Sequence, residues 1–87
     1  MYLHIGQNRL IPLSEIIAII DAKSVEKSFE LKYFLYRCKE QGILFDDTLD
    51  KVKSYVLVNR ENKTIIYTSN ISSSTLYKRS KENNYSY

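Results

Sequence analysis

Asp46, Asp47 and Asp50 stand directly ahead of Lys51 and Lys53, so acids and cations meet within one short segment, FDDTLDKVKSYVLV. Three carboxylates this close could hold a divalent cation, and two lysines could hold an anion. An EF-hand loop, however, alternates oxygen ligands over about twelve residues, with a central Gly and a closing Glu. This segment has neither residue. Aspartates also favour turns by bonding nearby backbone. That accounts for Asp46 and Asp47 after a short strand, and no metal site is expected.

The remaining reactive side chains do not assemble a catalytic set on sequence grounds. His4 is the only histidine, with no second imidazole or thiol close to it in the chain. Cys38 is the single cysteine and falls on an apolar helix face, where a buried, inert thiol is expected. The run Ser72-Ser73-Ser74 has no neighbouring base and no strand-to-helix elbow. The chain reads as a non-enzyme that uses no cofactor and takes no small-molecule substrate.

What remains is cationic. Lys51 and Lys53 lie in the loop, Arg9 in a first hairpin, Arg60 and Lys63 in a later one, and Lys78, Arg79 and Lys81 near the end. The net charge is +3, unevenly spread: residues 51–87 hold seven Lys/Arg and two acids. A monomer of this charge is a weak partner for nucleic acid. A ring or stack of copies would multiply and align the field. Lys51, Lys53 and Arg9 are the candidate DNA contacts.

The elements that must position these residues can be read from pattern. At 87 residues the chain is one domain, below the usual size of about 100–150 residues. A core this small favours self-association. Met1 to Ile5 and Arg9 to Ile11 flank Gly6-Gln7-Asn8 as a hairpin that ends at Pro12. Glu15 to Asp21, five apolar residues between two acids, reads as a central strand. Ser24 caps a single predicted helix over about 24–41, with Gly42 just past its end. Strands follow at Ile43 to Phe45, Tyr55 to Val58 and Thr64 to Thr68, the last two joined by the polar turn Arg60-Glu61-Asn62-Lys63. A short helix over about 72–79 closes a domain of residues 1–79, and the polar tail 80–87 is expected to be disordered. An early start to the Tyr55 strand would put Lys51, Lys53 and Tyr55 on one face.

The predicted 24–41 helix has more apolar surface than one sheet needs. Leu31, Phe34, Leu35 and Cys38 fall on one face, and Val25, Phe29, Tyr33 and Tyr36 on a neighbouring one. Either the core is thick enough to take both, or the second stripe meets another copy of the chain. The four residues of that stripe are the candidate oligomer interface.

The pieces YLHIG, EIIAIID, QGILFD, KSYVLV and SNISSSTLYKR, in this order over residues 2–79, resemble the RemA/RemB family of bacterial extracellular matrix regulatory proteins, and more closely its RemB branch. The resemblance implies an α+β domain with a small, bent, mostly antiparallel sheet, LytTR-like, that assembles into a ring. It implies a transcriptional regulator of biofilm matrix genes that engages DNA through basic residues at the start of the third strand and in the loop before the fifth. A cytoplasmic location is expected separately, because the single Cys38 cannot form an internal disulfide and no signal-peptide pattern opens the chain. Here Lys51-Val52 replaces an arginine pair in that loop, and Glu15 stands where the RemA branch has an arginine. The leading expectation is therefore a homo-oligomeric DNA-binding regulator. The alternative is a ring-forming adaptor that binds a protein partner or a paralogue without touching DNA. No membrane role is expected, because the longest apolar run, Ile16 to Ile20, is far too short to span a bilayer.

Overall fold

A computed structural model describes residues 1–83. Strands β1 (Tyr2–His4) and β2 (Leu10–Pro12) form the first hairpin, with Leu3 opposite Ile11. Its tip needs left-handed backbone at three successive residues, with φ of +94°, +56° and +56° at Gly6, Gln7 and Asn8. Gly and Asn are the residue types that tolerate this best. Gly6 is further constrained, because a Cβ there would stand 2.7 Å from Asn70 Oδ1. Pro12 ends β2 as expected.

A 3-10 turn, Leu13–Glu15, leads into β3 (Ile16–Asp21), followed by α1 (Ala22–Glu26) and α2 (Phe29–Glu40). The single helix expected over 24–41 is in fact two. Ser28 adopts extended backbone (φ −125°, ψ 115°), and its Oγ accepts from the Leu31 N–H at 3.1 Å, so Ser28 rather than Ser24 caps the long helix. Asp21 caps α1 by accepting from the Lys23 N–H, and Ser24 lies inside that helix. A serine can satisfy the first N–H groups of a new helix as readily as it can sit within an old one, and here capping prevails. At the other end, Gly42 (φ +76°) and Ile43 donate back to Lys39 and Cys38 carbonyls, which closes α2 with a Schellman turn.

Strand β4 (Leu44–Phe45) is short; β5 (Ser54–Arg60) and β6 (Lys63–Ser69) are joined by Glu61-Asn62, both with positive φ, so the polar turn is a two-residue hairpin. Helix α3 spans Ser73–Asn83. It therefore runs past 79, the expected tail begins inside the helix, and residues 84–87 lie outside the described residues.

The four-stranded sheet has the order β3-β5-β6-β4, antiparallel except for the parallel pair β4 and β6. Among the described residues the chain is α+β, with a two-stranded antiparallel sheet, a four-stranded mixed sheet and three α-helices. Strand β3 is an edge, not the central strand its composition suggested. The reason is that the β5–β6 hairpin occupies the middle, and a register shift between Ile16 and Ala18 leaves Ile17 exposed.

Each face of this sheet has its own core. Val56, Val58 and Tyr67 pack with Leu3, Ile5 and Ile11 of the first hairpin and with Leu76 of α3. On the opposite face Ile66 packs with Val25, Leu35 and Cys38 of the two helices, supported by Tyr55 and Leu57. Alternation along β5 sends Val56 and Val58 one way and Tyr55 and Leu57 the other, as the pleat requires. Three buried polar residues tie the edges together. Ser54 Oγ donates to the Ile71 carbonyl and Ser69 Oγ to the Ile5 carbonyl, both at 2.7 Å, while Thr48 and Thr68 share a hydroxyl bond of 2.6 Å.

Candidate nucleic-acid interface

Strand β5 begins at Ser54, so Lys51 and Lys53 belong to the preceding irregular segment and not to an extended strand face. Tyr55 is separated from them, half-buried against the helical core, and burial raises its hydroxyl pKa above the ordinary 10.0, with Asp46 and Glu26 adding to the effect. The backbone of Lys53 is nonetheless fixed. Its N–H donates to the Ser69 carbonyl at 2.8 Å, and its carbonyl accepts from the Ala22 N–H at 3.0 Å. These two bonds bring three distant stretches together: the start of α1, the loop, and the chain entering α3.

The result is a groove of ≈ 470 Å³ whose rim carries Lys23, Lys51 and Lys53 opposite Ser72, Ser73 and Ser74. Asp21 and Glu26 also line it, so three lysines stand against two carboxylates, and one of these, Asp21, already accepts the α1 cap bond. Ser72 Oγ accepts from the Thr75 N–H at 3.3 Å and caps α3, whose remaining first-turn N–H groups add partial positive charge. Three lysines against two carboxylates give the lining a positive excess, which favours an anion.

Sequence reasoning located Lys51 and Lys53 but missed Lys23 and the serines as their neighbours. A Ser run just ahead of a helix is a cap signal, and Ser72 does cap α3. Its proximity to the lysines comes only from the non-local bonds of Lys53.

The other predicted DNA contact, Arg9, does not line this groove. Its Nη1 and Nη2 bond the two carboxylate oxygens of Asp47 at 3.2 and 2.8 Å, and its guanidinium lies 4.3 Å over the Tyr67 ring. These bonds hold the Asp47 carboxyl below its ordinary pKa of 3.8. Arg60 is similarly engaged, donating through Nε and Nη2 to Glu15 Oε1 and through Nη1 to Tyr67 Oη at 3.4 Å. Lys39 pairs loosely with Asp46, and Arg79 donates to the His4 carbonyl. Among the described residues, Lys51 and Lys53 are exposed and form no ion pair with an acid.

The four predicted interface residues divide. Val25 is buried in the helical core, because the break at Ser28 turns α1 inward, and it is unavailable for contact between copies. Phe29, Tyr33 and Tyr36 are 77%, 51% and 58% exposed along α2. Phe29 and Tyr33 stack at 6.3 Å between centroids, and Arg37 lies over the Tyr33 ring. Three large aromatic side chains left in water along one helix form an apolar stripe rather than scattered exposure.

Among the described residues, Cys38 is buried and His4 is exposed on the short strand β1. Among the described residues, no three His, Cys, Asp or Glu side chains come together as metal ligands, and no helix is long and apolar enough to cross a membrane. The sequence matches the family described as RemA-like, extracellular matrix regulatory protein A-like, over residues 2–79. The chain belongs to the RemA-like family. A comparison with curated proteins returned no match. For a RemA-like chain, the family description is that of a regulatory protein, and the residues it covers include the whole lysine groove and most of α3.

Proposed function

We propose that this RemA-like chain is a homo-oligomeric, DNA-binding transcriptional regulator of extracellular matrix genes, in which Lys51 and Lys53, repeated from copy to copy, contact the phosphate backbone. The observation that carries the reading is the groove itself, which Lys23, Lys51 and Lys53 line together with Ser72, Ser73 and Ser74 at the start of α3. Phosphate oxygens accept from ammonium, hydroxyl and backbone amide donors alike, and such contacts position DNA without reading its bases. Lys23 joins the set, and Arg9 leaves it. With Lys51, Lys53 and Lys23, three lysines per subunit correspond to a log–log salt slope of about −2.7 per subunit. Glu15 and Lys51-Val52, set against the arginines of the RemA branch, support placing the chain on the RemB-like branch.

Self-association is the second half of the proposal, supported by the exposed stripe Phe29, Tyr33 and Tyr36 on α2. Assembly into a LytTR-like ring would align the lysine grooves and raise the field that a single +3 chain lacks. A second reading, an adaptor that binds a protein or a paralogue, is favoured by the internal pairing of Arg9 and Arg60, which removes two of the strongest phosphate forks from the surface.

The deciding experiment is a duplex-DNA titration at low salt with the parent and a Lys51→Glu/Lys53→Glu variant, each sized by sedimentation. The DNA reading expects salt-sensitive binding by the parent and an assembled variant that does not shift DNA. Equal shifts by both would remove the lysines from the site. No binding by an assembled parent would favour the adaptor.

A further inference from the structure

We infer that Arg9 is a positioning residue for the lysine loop: its fork onto Asp47 holds residues 46–53 in the form that carries Lys51 and Lys53 to the groove. The inference rests on the phosphate-binding reading of that groove.

Residues 46–53 contain no helix or strand, so their order depends on a few fixed points. Asp47 is the first and is held three times, twice by Arg9 through its carboxylate and once by Gln7 Nε2, which donates to its carbonyl at 2.8 Å. Thr48 follows, sharing a hydroxyl bond of 2.6 Å with Thr68, and then Asp50, accepting from Asn70 Nδ2 at 3.4 Å. The backbone of Lys53 is the last. Of these anchors the Arg9 fork pairs two opposite charges through two bonds, and it is itself braced, because the guanidinium rests on the face of Tyr67, a buried residue of β6. The fork thus connects the tip of the first hairpin and the sheet to the start of the loop. A guanidinium already committed to both oxygens of a carboxylate would have to break that pair to reach a phosphate.

Releasing the fork lets the loop sample other arrangements, and apparent affinity then falls by the fraction of time the competent one is populated. Asp47→Asn separates this role from simple electrostatics. Removing an acid near the lysines strengthens DNA binding if only charge matters, whereas loss of the fork weakens it. Asp47 is half-exposed and Asn is isosteric with it, so the variant is expected to fold, which the unfolding curve checks. Arg9→Gln provides the complementary arm. If Arg9 touched phosphate, its loss would lower the salt slope by about 0.9. As a positioning residue, it leaves the slope unchanged.

The expected result is binding weakened about five- to thirty-fold in both variants at an unchanged salt slope. Faster amide exchange across residues 46–53, measured without DNA, should accompany it. Asp47→Asn binding as tightly as the parent, or unchanged exchange in the loop, overturns the inference. A reduced slope for Arg9→Gln returns Arg9 to the phosphate contacts and also overturns it. A parent that binds no DNA while loop exchange still rises in both variants overturns the phosphate reading and, with it, the purpose assigned to the fork.

Discussion

Arg60 and Glu15, 45 residues apart, are joined by two hydrogen bonds from one guanidinium to a single carboxylate oxygen, at 3.0 and 2.9 Å. As a bare charge, Glu15 would repel a phosphate. Paired, it instead neutralises Arg60, whose own charge is held more firmly by the Glu15 and Tyr67 bonds.

Glu15→Gln tests this pairing. With both side chains partly exposed, the lost ion pair is expected to cost about 1 kcal/mol of stability, measured by urea unfolding. Freed from its partner, Arg60 adds a cation to the surface, so DNA affinity at low salt is expected to rise. An unchanged affinity would place Arg60 away from the DNA path.

The Arg9–Asp47 fork gives a pH dependence of defined sign. Asp47 has a folded pKa below its ordinary 3.8, so the unfolded chain takes up the proton first as acid is added. The stabilisation is fully present above about pH 4 and is lost as pH falls through the depressed folded value. Parent and Asp47→Asn should therefore differ in urea midpoint at neutral pH and converge in strong acid. Parallel curves down to about pH 2 would contradict the assignment.

Ser28→Ala removes the side-chain acceptor for the Leu31 N–H and is expected to destabilise the fold by about 1 kcal/mol. Ser24→Ala, inside α1, is expected to change stability by less than about 0.5 kcal/mol or to raise it slightly, since Ala is the better helix former. The reverse ranking in thermal or urea unfolding would restore a single helix capped at Ser24.

The two sides of α2 should respond oppositely. Leu35→Ala opens a hole in the helical core and should cost about 2–4 kcal/mol. Phe29→Ala, at a site 77% exposed, should leave monomer stability within about 0.5 kcal/mol and shift the assembly toward smaller species in sedimentation. Unchanged size for the Phe29, Tyr33 and Tyr36 variants together would assign association to another surface.

Much of the local structure was legible because it depends on near neighbours. Gly6, Asn8, Glu61 and Asn62 marked turns that require positive φ, Gly42 marked the end of α2, and the β-branched runs marked β3, β5 and β6. The misreadings occurred where two local answers were nearly equal in energy. Ser24 and Ser28 are both competent caps, and only packing of Val25 against Ile66 and Leu35 selects the break.

The sequence by itself determined which segments form strands, that helix follows β3 and β6, where the strands turn, and that Lys51 and Lys53 lie in an exposed connection, but not the helix break at Ser28. Only the tertiary structure decided which charges remain available. Arg9 and Asp47 are 38 residues apart, Arg60 and Glu15 are 45 apart, and Lys53 meets Ser69 and Ala22 only through the sheet. An ion pair or a groove depends on through-space distances of a few ångströms, which are set by strand register and by which face of the sheet each element covers. Local backbone preferences carry no information about either.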